Sequence, residues 1–277
     1  MGRCVDSRGA ADFPEKKKAA TELPHKRRNI AKQYIKGTRT RCQGKIGKFP
    51  NLKTAMRQWR WRARLNIISS LKRAGFALIL FAAVYVPAFA MVTWLHPSVQ
   101  ITILLIIIVS AGLAVLFMAF LTRGTKGIAE FGIAKSPVSY VIAATLAGIV
   151  VGGALAYLAA LYPAPSPLDL SKLPPWMIFV YFALAAPVQE ELIFRGLLQT
   201  VMARAVSEPG GFWAVHFPIV FVAALFGVIH LDSGIVVAAS AVLLGLIAGG
   251  LRRMSGSLVP AILFHALLNA ASALWPA

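Results

Sequence analysis

Gln189-Glu190-Glu191-Leu192-Ile193-Phe194-Arg195 sets three ionisable side chains inside an otherwise apolar stretch. A charge at membrane depth costs about 2.5 kcal/mol even on the most lenient insertion scale, so three in one heptapeptide point to chemistry. Glu191 and Arg195 stand four residues apart with the carboxylate first, which places them on one helical face in the favoured order for an ion pair. Glu190 is turned about 100° from Glu191 and cannot share that arginine equally. It is left as a desolvated carboxylate without a local partner, the kind of group that serves as a general base. The bland reading, a structural salt bridge with a spare glutamate, is disfavoured because no water-facing surface is expected at this depth.

Few other polar side chains in the apolar part of the chain are able to do acid-base or metal chemistry. His230 closes Phe226-Gly227-Val228-Ile229-His230, and His265 opens His265-Ala266-Leu267-Leu268-Asn269. Phe226 and His230 are about one turn apart, so the ring packs beneath the imidazole; His265 and Asn269 share a face and address one substrate group together. His25, His96 and His216 fall in the tail or in loops and are not taken as site residues. Asp232 reads as a cap for the next helix rather than as a partner of His230.

Depth gives a coarse test at about 1.5 Å per helical residue. Counted from Pro175, Glu190 lies about 22 Å in; counted from the opposite side at Leu258, His265 and Asn269 lie about 10 and 16 Å in. These levels agree. His230 joins them only if its helix starts near Pro218, which predicts Pro218 in a first turn and a loop over 207–217.

Positioning these groups requires membrane-spanning helices. The hydrophobic content is 58%, and the segments 74–95, 99–122 and 137–161 are each uncharged and as long as the roughly 20 residues a crossing requires. Residues 162–175 carry five prolines, Pro163, Pro165, Pro167, Pro174 and Pro175, and read as a loop. A fourth helix runs from Trp176 to about Ala205, followed by apolar stretches over 213–231, 234–251 and 258–274, the first two joined by Asp232-Ser233-Gly234. The fold expected is an all-α polytopic membrane protein with about seven transmembrane helices. Gly148/Gly152 and Gly245/Gly249 have the small-xxx-small spacing of close helix packing. Trp94 and Trp275, near span ends, read as interfacial.

Charge divides the chain. Residues 1–73 hold 21 Lys and Arg against 4 Asp and Glu, a net of +17, whereas the other 204 residues hold 8 against 6. Residues 1–56, with Lys16-Lys17-Lys18 and Lys26-Arg27-Arg28, read as a basic, largely disordered tail that binds anionic lipid; no specific nucleic-acid partner is expected. Residues 57–73, with Trp59 and Trp61 among arginines, suit a helix at the headgroup level, and residues 74–277 form the membrane domain. Arg123, Lys126, Lys135, Arg204, Arg252 and Arg253 fall in loops on the side of the tail, against Lys172 opposite, which predicts a cytoplasmic N-terminus. Cys4 and Cys42 have no zinc-site spacing and read as reduced thiols. No signal peptide or myristoylation pattern opens the chain.

Glu190-Glu191-x-x-x-Arg195, Phe226-x-x-x-His230 and His265-x-x-x-Asn269, in that order on late apolar helices, resemble the three motifs of the CPBP family of intramembrane proteases, the CAAX-protease and bacteriocin-processing group also called Abi. The resemblance covers about residues 130–275. It implies an endopeptidase in a cell membrane, in a bacterial setting, acting on a membrane-associated peptide or protein. Glu190 and His230 would activate water, His265 and Asn269 would stabilise the oxyanion, and Glu191 with Arg195 would hold the helix. The family's metalloprotease name implies a divalent metal, with Glu190, His230 and His265 as the ligand set and zinc as the ion, although no His-Glu-x-x-His pair is present. The rival readings are a non-catalytic immunity or partner-binding membrane protein and a proton-coupled transporter; the absence of a second polar half weighs against transport. Neither the physiological substrate nor the oligomeric state is legible.

Overall fold

A computed structural model describes residues 52–122, 124–161, 173–204 and 212–274. The tail reading for 1–51, with Cys4, Cys42 and His25, and the readings of Arg123, Lys172 and Trp275 lie outside the described residues. The helical bundle is the compact unit Arg60–Ala277.

Seven long helices and two 3-10 segments, Gly124–Phe131 and Leu231–Ser233, with no strand, are present among the described residues: α1 Leu52–Leu95, α2 Val99–Leu121, α3 Val138–Leu161, α4 Pro175–Arg204, α5 Phe212–Val228, α6 Ile235–Ser255 and α7 Val259–Leu274. Apolar sequence in lipid leaves the backbone no partner but itself, which is why these runs are helical end to end. Ser70–Leu95, α2, Val138–Leu158, α4 and α6 are long and apolar enough to cross a membrane. The chain is an integral membrane protein. The last helix, α7, has 16 residues, a rise of about 24 Å that is shorter than a hydrocarbon core of about 30 Å, and α5 is nearly as short. The expected seven crossings are thus five full-length helices and two shorter apolar ones.

The expected start of α5 is not what is found. The helix begins at Phe212 and Pro218 lies inside it, so 212–217 is helical rather than loop. An interior proline removes one backbone bond, which an apolar helix packed among others tolerates. His230 still reaches its neighbours because it stands beyond the helix end and its ring folds back one turn, Nδ1 lying 2.7 Å from the carbonyl of Phe226. Residue count measures path along the axis and takes no account of a side chain that turns back.

Close helix packing follows the small residues. A Cβ on Gly148 or Gly152 would stand 2.9 Å from Leu267 Cβ or 3.0 Å from Leu268 Cα of α7, and one on Gly245 would stand 2.8 Å from Ala223 of α5. Between α2 and α3, Gly132 adopts φ 89°, and any Cβ there would lie 2.3 Å from Arg252 Nε. Only glycine fits both constraints. The central element is α4, buried continuously from Ile193 to Met202.

Candidate active site

The fourth helix is irregular where the chemistry sits. It contains two wider turns, Tyr181–Ala185 and Leu192–Leu198, on either side of an α-helical Ala186–Glu191. Such turns recur at functional sites. The first has a cause legible in residue types. The amide of Ala186 donates to Tyr181 O, five residues back, and Pro187 has no N–H. The Phe182 carbonyl therefore loses both backbone donors, and Asn269 Nδ2 of α7 donates to it at 3.0 Å. This ties α7 to α4 about two turns before Glu190.

Glu191 and Arg195 form the expected pair, with Oε1 to Nη1 at 2.8 Å and both side chains fully buried. The same carboxylate oxygen accepts from His265 Nδ1 at 2.9 Å. A carboxylate only accepts, so Nδ1 carries the hydrogen and His265 is held in one orientation. Its other nitrogen, Nε2, lies 3.6 Å from Glu190 Oε2. Glu190 retains 18% side-chain exposure against none for Glu191, so it is the carboxylate of the two that a water molecule reaches.

Phe226 joins the imidazoles. Its ring lies 4.7 Å from the His230 ring and 5.8 Å from the His265 ring, edge-on to the latter, and Arg195 Cζ lies 4.7 Å from its centroid. His230 Nδ1 faces the Phe226 carbonyl, which again requires the hydrogen on Nδ1 and leaves Nε2 as a lone-pair acceptor. The six polar motif side chains are thus connected, Glu190, Glu191, Arg195, His230 and His265 through direct contacts or through Phe226, and Asn269 through the α4 backbone.

The metal ligand set is a separate matter. Among the described residues no three His, Cys, Asp or Glu side chains are gathered to hold a metal ion. His265 Nδ1 and His230 Nδ1 are held by Glu191 and the Phe226 carbonyl, which leaves the two Nε2 atoms, one of them 3.6 Å from Glu190, as the ring donors. As placed, Glu190, His230 and His265 are not gathered around one point for a three-ligand ion.

Several supporting groups were not among the expected residues. Gln189 is buried and its Nε2 donates to Ser110 Oγ of α2 at 2.9 Å and to Tyr85 OH of α1 at 3.4 Å. Tyr85 and Tyr181 both lie within electrostatic range of Glu190. The signal was available: Ser110 and Tyr85 are polar side chains within long apolar helices. Asp232 does not cap α6, whose first turn has no side-chain cap, and its side chain instead accepts from Ser233 Oγ at 3.4 Å; Gly234, at φ 99°, makes the turn without it.

Residues 172–271 match the family described as Type II CAAX prenyl endopeptidase Rce1-like. The match agrees with the CPBP resemblance of the three motifs. It spans a little over a third of the chain and takes in Glu190, Glu191, Arg195, His230, His265 and Asn269, while α1, α2 and α3 lie outside it. No curated protein and no solved structure matches the chain.

Proposed function

We propose that this chain is an intramembrane endopeptidase of the CAAX-protease type, hydrolysing a peptide bond of a membrane-associated peptide or protein. The observation that carries the reading is the unequal treatment of two adjacent glutamates. Glu191 is consumed by Arg195 and His265, and Glu190 is left partly exposed beside His265 Nε2.

In this reading Glu190 accepts a proton from water while the water oxygen attacks the scissile carbonyl carbon. His230, with its hydrogen held on Nδ1, offers Nε2 as a second acceptor for the same water. The developing oxyanion is met by donors from α7. Asn269 spends one Nδ2 hydrogen on Phe182 O and keeps the other, and His265, entering and leaving the cycle as an imidazolium between Glu190 and Glu191, donates from Nε2. Collapse of the intermediate breaks the C–N bond, and the proton held by Glu190 passes to the leaving amine. The new carboxyl group gives up the second proton of the water to the amine, so the products are one carboxylate and one ammonium, with one water consumed.

The remaining residues position these groups. Gln189 fixes α4 against α1 and α2, and Arg195 compensates the buried charge of Glu191. The test is to incubate the purified, reconstituted chain with membrane-anchored peptides and to identify new peptide termini by mass spectrometry. Defined internal cleavage supports the reading; intact peptides with wild-type protein that is folded and inserted would refute it.

A further inference from the structure

A second cluster of charge lies at the end of the bundle where Leu121, Arg204 and Ser255 close their helices. Arg195, Gln199, Thr200, Arg204, Arg252 and Arg253, with Glu130, surround a cavity of about 300 Å³. Four guanidinium groups face one carboxylate. The structural reading accounts for Arg204, which donates to Glu130 Oε1 at 3.1 Å, to Glu130 Oε2 at 2.8 Å and to Leu121 O at 2.7 Å. The contacts of Arg252 and Arg253 leave donors unused, and Arg195 is matched through Glu191 alone. Arg252 spends Nη2 on Glu130 O at 3.0 Å, but its buried Nε has no hydrogen-bond partner. Arg253 is exposed and has neither ion pair nor hydrogen bond among the described residues. Arg195, fully buried in the cavity wall, has the ion pair with Glu191 and the face of the Phe226 ring, and none of its nitrogens makes an aligned hydrogen bond.

Buried donors without acceptors are costly, and guanidinium forks match oxyanions that offer several acceptors at once. We propose that this cavity binds a phosphate-class anion, as a phospholipid headgroup or a soluble phosphate. A phosphate carries enough acceptor oxygens to take Arg252 Nη1, the Arg253 fork and the Thr200 hydroxyl together, which a single carboxylate does not. The place suits it, because helix ends carrying arginine lie at the level of lipid headgroups. The site is separate from Glu190 and independent of the endopeptidase reading, although Arg195 presents one guanidinium to both Glu191 and the cavity.

The experiment measures thermal unfolding of the purified full-length chain in neutral detergent at constant ionic strength. Three additions are compared: phosphatidylglycerol, phosphatidylcholine and inorganic phosphate. Phosphatidylglycerol is expected to raise Tm and phosphatidylcholine to leave it unchanged; a rise with inorganic phosphate as well identifies a soluble phosphate as sufficient. Arg253→Gln, at an exposed position without partners, is expected to fold normally and to weaken the apparent affinity by at least about tenfold. Lys135→Gln, which removes one charge outside the cavity, should leave it unchanged. The proposal is overturned if neither phosphatidylglycerol nor inorganic phosphate raises Tm, or if phosphatidylcholine raises it equally. It is equally overturned if the rise survives Arg253→Gln and Arg253→Glu, since the anion then binds elsewhere, as on the basic segment 1–73.

Discussion

His265 Nδ1 lies 2.9 Å from Glu191 Oε1, the oxygen that Arg195 Nη1 also approaches at 2.8 Å. One buried carboxylate thus does two things, compensating a cation and orienting an imidazole. The two roles separate by substitution. Glu191→Gln keeps an acceptor for Nδ1 and leaves Arg195 as an uncompensated buried charge, so it should accumulate poorly. The double variant Glu191→Gln/Arg195→Met removes both charges and should accumulate better than either single variant. It should also retain cleavage. Glu191→Leu/Arg195→Met should accumulate yet lose about a hundredfold in rate, the scale of one positioned acid-base group. Equal rates in the two double variants would remove the orienting role.

Arg195→Ala alone should lower the amount of folded protein in the membrane. Removing one member of a buried pair costs about 3–5 kcal/mol, and the stacking of Arg195 on Phe226 is lost with it. Quantifying inserted protein against wild type at equal expression is the check. Wild-type accumulation would show that the pair is not structural.

Asn269→Ala leaves the Phe182 carbonyl without a donor, at a cost of about 1–3 kcal/mol. Asn269→Asp is nearly the same size, but an ionised carboxylate cannot donate to that carbonyl, so it should be at least as destabilised. Chemical denaturation in detergent compares the three. If both variants match wild type in stability, the Asn269–Phe182 bond does not hold α7 to α4.

Gly245→Val should destabilise by about 1–3 kcal/mol because its Cβ would lie 2.8 Å from Ala223. Gly153→Ala, where no atom lies within 4 Å of a Cβ, should be neutral or slightly stabilising. Thermal unfolding of the two variants side by side tests the close approach of α5 and α6.

The sequence was most readable where one physical cost dominated. Charges at membrane depth drew attention to Glu190, Glu191 and Arg195, and long uncharged runs located the spanning part of α1, Ser70–Leu95, and α2 and α3 to within a few residues. It was least readable where the outcome depended on a single backbone bond. Pro218 looked like a helix start because an interior proline forfeits a bond, and α5 absorbs that loss. Pro187 was the reverse case: the carbonyl it strands at Phe182 is recruited by Asn269, which required knowing which helix lay alongside. The Glu191–His265 contact, 74 residues apart in the chain, and the meeting of Arg204 with Glu130 carry no local signal at all. Residues read only as setting topology turn out to line a cavity.

The central claim is that Glu190 takes the proton from the attacking water. Its most direct test is the single-turnover cleavage rate of Glu190→Gln against wild type in the same bilayer, with insertion and Tm measured in parallel. Glutamine preserves size and hydrogen bonding but cannot serve as the base. The rate should fall by about 10²–10⁴-fold with unchanged Tm, and cleavage by Glu190→Gln at the wild-type rate would contradict the mechanism.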